Sequence, residues 1–187
     1  MINATDLLEL IKKRQSVRAY TNTPVEQEKI ERCIEAARIA PSACNAQPWK
    51  FVIVNKADNP ELHSEIAKAA ASAVLGFNKF AIQAPVLLIV VREAPNFTSK
   101  MGALLKDKSY TIMDVGVTVA HFCLQATAEG MGTCIMGWFD EKKVKKLLNI
   151  PSSKRVELIL SLGYAANDEI RPKIRKDTDK IVSYNKY

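Results

Sequence analysis

The chain has 187 residues, 48% of them apolar, and its 27 lysines and arginines against 20 aspartates and glutamates give a formal net charge of +7. These values exclude a fibrous or low-complexity chain and fit one globular domain over residues 1–187, and the surplus positive charge points to an anionic ligand such as a phosphorylated cofactor, a nucleotide or a nucleic acid. The 4 cysteines form no C-x-x-C pair and read as thiols of a reducing compartment. With no basic-then-apolar leader pattern at the amino terminus and no apolar run of membrane-spanning length, the expected location is cytoplasmic.

In chain order, residues 6–13 are expected to form a short amphipathic helix with Leu7, Leu8 and Ile11 on its apolar side and Asp6 with Glu9 as a capping pair. It delivers Arg14-Gln15-Ser16-Val17-Arg18, where an extended backbone projects Arg14, Ser16 and Arg18 from one side, two guanidiniums and a hydroxyl able to grip an anion. Thr23-Pro24-Val25-Glu26 has the form of a helix start, with a threonine cap, proline at the first helical position and glutamate three residues after the cap. The helix it opens carries Ile30, Cys33, Ile34 and Ala37 at helical spacing and must end near Ala40, before Pro41. Residues 41–49 are a polar, proline-bounded loop in which the side chains of Ser42, Asn45 and Gln47 both donate and accept hydrogen bonds.

Residues 49–54 have the aromatic and β-branched content of a strand, and Asn59-Pro60 opens a helix with Leu62, Ile66, Ala69 and Ala73 on its apolar positions. Residues 85–91 are apolar on both faces, as a central strand covered by helices requires. A polar loop over 92–108 leads to a long helix near 111–129 ended by Gly130, with Met113, Val117, Ala120, Leu124 and Ala128 expected as its core-facing stripe. A strand at 133–136, a helix at 140–148 and a strand at 156–162 complete the body. The tail, 171–187, sets Arg171, Lys173, Arg175, Lys176, Lys180 and Lys186 against Asp177 and Asp179, and needs something to dock against. If it folds back beside residues 14–18, Lys173, Arg175 and Lys176 close a second basic set around one phosphate.

Other chemistries find little support. The glycines at 130, 132 and 137 follow a helix and have the wrong spacing for a dinucleotide-binding turn; Gly137 instead suits close backbone approach by a flat ligand. His63 and His121 have no metal-ligand spacing, and His121 and Cys123 diverge on their helix, so neither a metal site nor a Cys/His nucleophile is expected. The phosphate-loop and nucleophile-elbow patterns are both missing. A basic nucleic-acid-binding module is the rival outside enzymes, disfavoured because the basic residues lack interleaved aromatics.

Residues 13–18, 40–49, 130–137 and 162–164 with 173–175 resemble, in order and over nearly the whole chain, the successive blocks of the FMN-dependent nitroreductase family. The resemblance implies an α+β fold: a three-layer α/β/α sandwich with a mixed, mainly antiparallel sheet, in an interlocked homodimer that binds FMN at the subunit interface. Residues 171–187 would wrap the partner subunit. Arg14 and Ser16 would hold the ribityl-phosphate end with Lys173 and Arg175, and Arg18 would lie near the N1/O2 edge, where positive charge favours the reduced flavin. Pro41, Ser42, Ala43 and Asn45 would reach the cofactor from the partner subunit, with Gln47 nearby, and Met136 and Gly137 would run their backbone along the ring with a donor near N5.

The implied activity is a ping-pong hydride transfer from NADH or NADPH through flavin to a nitroaromatic, quinone or similar small-molecule acceptor. No side chain acts as catalyst, and no metal, nucleic acid or membrane is involved. A dehydrogenase, dehalogenase or oxygenase of the same fold is the alternative. The chain departs from the family where serine and then glycine are frequent, having Ala43 and Cys44 instead.

Overall fold

β-Branched and aliphatic side chains build the centre of the molecule. In the computed structural model, which describes residues 3–71, 76–94 and 109–187, strands β1 (Trp49–Asn55), β2 (Val86–Arg92), β3 (Gly132–Met136) and β4 (Arg155–Gly163) form one sheet in the order β1-β2-β4-β3. Every neighbouring pair is antiparallel, and β2 and β4 shift register between Val90 and Val91. The parallel component is an isolated bridge from Ser16 to Thr133 on β3. Ala73 and most of the loop expected over 92–108 lie outside the described residues.

β2 is the central strand and divides two cores by simple alternation of its side chains. Leu87, Ile89 and Val91 meet Ile66, Ala69 and Ala70 of α3 (Pro60–Ala70) and Val144 further along the chain. Val86, Leu88 and Val90 meet Ile30, Cys33 and Ala37 of α2 (Gln27–Arg38) and Val115, Val119 and Phe122 of a long helix C-terminal to them. That long helix is α4 (Tyr110–Ala128); Val144 belongs to α5 (Glu141–Leu147), and α1 (Ala4–Lys13) lies against α4. Helices thus cover both faces of the sheet, the three-layer α+β sandwich expected from the sequence. Among the described residues no helix is long and apolar enough to cross a membrane.

Several boundaries follow from local chemistry. Asn59 Oδ1 accepts from Leu62 N–H at 3.0 Å with Pro60 opening α3, as its sequence predicts. α4 stops where Gly130, at φ +77°, lets its own N–H reach Thr127 O at 3.1 Å and Met131 N–H reach Ala126 O at 2.8 Å. Arg32 clamps this end to α2 through a paired contact with Glu129 at 2.7 and 2.8 Å.

Three expectations are corrected. α1 begins at Ala4 because Asn3 Oδ1 caps it, accepting from Thr5 N–H at 3.0 Å, while Glu9 pairs with Lys12 at 2.8 Å instead of capping. α2 begins at Gln27 and not at Pro24 behind a Thr23 cap: Val25 is drawn into the core, and the Thr23 hydroxyl accepts from Thr21 Oγ1 at 3.0 Å. On α4 the expected inward stripe faces outward. Met113 is 55% and Val117 37% exposed, Ala120 and Ala128 are exposed, and Leu124 is half-buried. The buried face carries Val115, Thr118, Val119, Phe122, Cys123 and Ala126. α4 is apolar on both sides, so periodicity alone cannot choose between them.

Candidate functional site

Arg14 caps the C-terminal end of α1 with its backbone N–H on Leu10 O at 3.0 Å, and the chain then runs extended beside β3. Val17 N–H donates to Thr133 O at 2.9 Å. The approach is close because Gly132 has no side chain: a Cβ there would fall 2.3 Å from Val17 Cγ2. Tyr20 locks the far end, its hydroxyl 2.8 Å from Val17 O and 2.7 Å from Ser161 Oγ. With Val17 turned into the core, its sequence neighbours Ser16 and Arg18 are left on the outer side, together with Arg14.

The tail folds back onto this segment. Gln15 Nε2 donates to Glu169 O at 2.7 Å, Gln15 Oε1 accepts from Arg171 N–H at 3.2 Å, the Arg171 guanidinium donates to Ser16 O, and Lys173 Nζ donates to Lys12 O. A cavity of about 310 Å³ results, lined by Arg14, Gln15, Ser16, Arg18, Arg171, Pro172, Lys173, Ile174 and Arg175. A neighbouring cavity of about 220 Å³ shares Gln15, Ser16, Arg18 and Arg171. Of the basic set expected from the tail, Lys173 and Arg175 line the larger cavity and Lys176 does not.

This cradle concentrates positive charge without neutralising it. Among the described residues, none of Arg14, Arg18, Arg171, Lys173 and Arg175 forms a salt bridge with a carboxylate. Lys173 is pushed below its ordinary pKa, first by desolvation and then by the charges of Arg14, Arg175 and Arg171. Burial raises the Cys134 thiol on β3 behind the cradle, while Arg18, the Ser16 hydroxyl, Arg171 and Arg14 pull it back. A cluster of cations opposing one another in this way is matched by an anion of more than one charge, and a phosphate monoester fits it.

The remaining expected residues lie on other elements. Met136 is buried at the end of β3 and Gly137 is exposed; a Cβ on Gly137 would meet only Leu158 Cδ2, at 4.0 Å, so its backbone stands open to close approach. Pro41, Ser42, Ala43, Asn45 and Gln47 are not among the residues lining the cradle. Their loop takes a strained course, with Cys44, Asn45 and Gln47 at φ +52°, +50° and +45°. Left-handed backbone costs a residue other than glycine or asparagine about 1–2 kcal/mol, a cost that falls here on Cys44 and Gln47.

Sequence reading missed Gln15, Arg171 and Asp114. Gln15 and Arg171 tie the tail to residues 14–18, and the signal for Gln15 was its place between Arg14 and Ser16 in an extended segment. Asp114, buried on α4, had no signal beyond being a carboxylate in an apolar helix.

A model of the nitroreductase family matches residues 11–164. The chain belongs to the nitroreductase family. Membership makes it one of a family of oxidoreductases, and the matched stretch includes residues 14–18, the 41–47 loop and Gly137 but stops short of the tail. Among its relatives is an iodotyrosine deiodinase of Thermotoga neapolitana, 28% identical, covering 97% of this chain and 98% of the relative. An NADH dehydrogenase of Thermus thermophilus is 24% identical over 91% of each chain. The solved structure of an FMN-dependent nitroreductase from Clostridium difficile superposes with a TM-score of 0.74 at 26% identity, covering 96% of this chain and 99% of that one. The three-layer sandwich described above is therefore the nitroreductase fold.

Proposed function

We propose that this nitroreductase-family protein is an FMN-dependent oxidoreductase that takes electrons from NADH or NADPH and works as a homodimer. The observation that carries the proposal is the cradle, where cations from two distant stretches of chain converge on one cavity whose described lining includes no carboxylate. Arg14, Ser16, Lys173 and Arg175 would hold the FMN phosphate, and Arg18 would add positive charge toward the ring. Met136 and Gly137 would present backbone to the isoalloxazine, and Pro41, Ser42, Ala43, Asn45 and Gln47 would serve the site of the second copy. When bound, FMN supplies hydride chemistry at N5, in separate half-reactions with the nicotinamide and with a small-molecule acceptor such as a nitroaromatic or quinone. The chain's own task is to grip, orient and electrostatically favour that group.

The case for a second copy rests on apolar surface. Leu7, Leu8 and Ile11 of α1 and Ile112, Met113 and Val117 of the adjoining α4 are all exposed, and clustered exposed apolar side chains suit a surface that meets another protein. Beyond Arg175 the tail keeps Ile181 and Tyr184 exposed as well. In the proposed dimer, residues 171–187 wrap the partner subunit.

Purified protein tests this directly. A flavin spectrum that bleaches anaerobically with NADH or NADPH is the expected result; a colourless protein that takes up no added FMN would overturn the proposal. The deiodinase relative favours a second reading, reductive dehalogenation in the same cleft. Halide release from an iodinated aromatic, set beside turnover of a nitroaromatic and a quinone, separates the two.

A further inference from the structure

One helix reaches the start of the 41–47 loop from outside. Thr118 and Asp114, one turn apart on the buried side of α4, make bonds of opposite sense to the chain that crosses them: Thr118 Oγ1 donates to Ala37 O at 2.6 Å, and Asp114 Oδ1 accepts from Ala43 N–H at 3.1 Å. The first bond pins the last turn of α2, and the second pins the start of the loop. Further bonds run within the loop: Gln47 N–H to Ser42 Oγ at 2.9 Å, Asn45 N–H to Ser42 O at 3.0 Å, and Gln47 Nε2 to Asn45 Oδ1 at 3.1 Å. Bonds of that kind would move with the loop and cannot fix it against the sheet.

Two features set Asp114 apart. The segment immediately after Ala43 carries three left-handed non-glycine residues close together, Cys44, Asn45 and Gln47, a conformation that persists only where the surroundings over-determine it. The second carboxylate oxygen, Oδ2, is buried and has no hydrogen-bond partner among the described residues. An unpaired buried carboxylate oxygen destabilises a chain, and such costs are tolerated where a residue serves the site more than the fold.

We infer that Asp114 is a positioning residue of the 41–47 loop, helping to preset the strained conformation in which that loop meets the cofactor; this rests on the flavin reading above. Asp114 acts through the Ala43 N–H.

The test compares wild type, Asp114→Ala and Asp114→Asn by amide hydrogen exchange over residues 41–49 without flavin, and by FMN titration. Asp114→Ala should speed exchange in the loop and weaken FMN binding by about tenfold or more, the worth of one charge-assisted hydrogen bond. Asp114→Asn, which keeps an oxygen for Ala43 N–H, should restore most of both. Wild-type loop protection or wild-type FMN affinity in Asp114→Ala would overturn the inference, as would an Asp114→Asn protein as impaired as the alanine variant. If Asp114→Ala does not fold, loop exchange in Asp114→Asn decides: protection at the wild-type level supports the inference and its loss refutes it. A wild-type protein that binds no FMN would sink the flavin reading alone, because the exchange comparison still judges Asp114.

Discussion

The two sides of α4 are built from the same kinds of residue and have opposite fates. Val115, Val119, Phe122 and Ala126 are sealed against β2 and α2, whereas Ile112, Met113 and Val117 stay exposed beside the apolar side of α1. A helix serving only its own domain would carry polar residues on the second side, and one apolar all round is a helix buried all round. The contrast separates what holds the single chain together from what is reserved, on the reading proposed here, for a second copy and a shared site.

The largest effect expected on this division comes from deleting residues 171–187, which removes Lys173 and Arg175 from the cradle and the segment proposed to wrap the partner. FMN and pairing should be lost together, as read by flavin absorbance and sedimentation. A flavin-loaded monomer would break the comparison at once.

Next are substitutions on the two sides of α4. Phe122→Ala, at a fully buried position, should cost about 3–5 kcal/mol in urea unfolding. Val117→Lys should leave the far-ultraviolet circular dichroism unchanged and shift the sedimentation coefficient to that of a monomer. If Val117→Lys unfolds the chain as Phe122→Ala does, the two sides are not distinct.

Within the cradle, Arg14→Ala should weaken FMN binding by about 1.5–3 kcal/mol, one charge-assisted hydrogen bond, with little effect on the urea midpoint. Unchanged FMN affinity would remove Arg14 from the site.

The smallest effect sharpens the account of the interior. His63 is fully buried, with Nε2–H on Ala84 O at 2.8 Å and Nδ1 without a partner among the described residues. Burial pushes its pKa below the ordinary 6.5, an effect partly opposed by the Ala84 bond and reinforced by Lys56. Above 6.5 both folded and unfolded states are neutral at this residue and its contribution is complete. As pH falls below that value the unfolded chain takes up a proton before the folded one, so stability declines until the lowered folded pKa is passed. Urea midpoints measured across this range should fall with acid in wild type and fall less in His63→Phe.

The sequence made the inner architecture legible where chemistry is local. Asn59-Pro60 capped α3 as read, Gly130 ended α4, and the unbroken apolar run of β2 marked the central strand. Arg14, Ser16 and Arg18 were readable because an extended segment alternates, and the tail's Lys173 and Arg175 because a charged end needs a counterpart. The orientation of α4 was not readable, since two apolar sides give the same periodicity whichever packs inward. The start of α2 was misread because burial of Val25 outweighs a good capping pattern. Asp114 was invisible for a further reason: its importance lies in one backbone N–H that is 71 residues away in sequence.

The central claim is that the cradle exists for the phosphate of FMN, and the most direct measurement is to titrate the flavin-free protein with FMN and with riboflavin, which has the same ring and ribityl chain but no phosphate. The account predicts that FMN binds more tightly by about 100-fold or more, the worth of two charge-assisted hydrogen bonds, and that Arg14→Ala narrows the gap. Equal affinities for the two flavins would contradict it, and would leave the converging cations of residues 14–18 and 171–175 without the role assigned to them here.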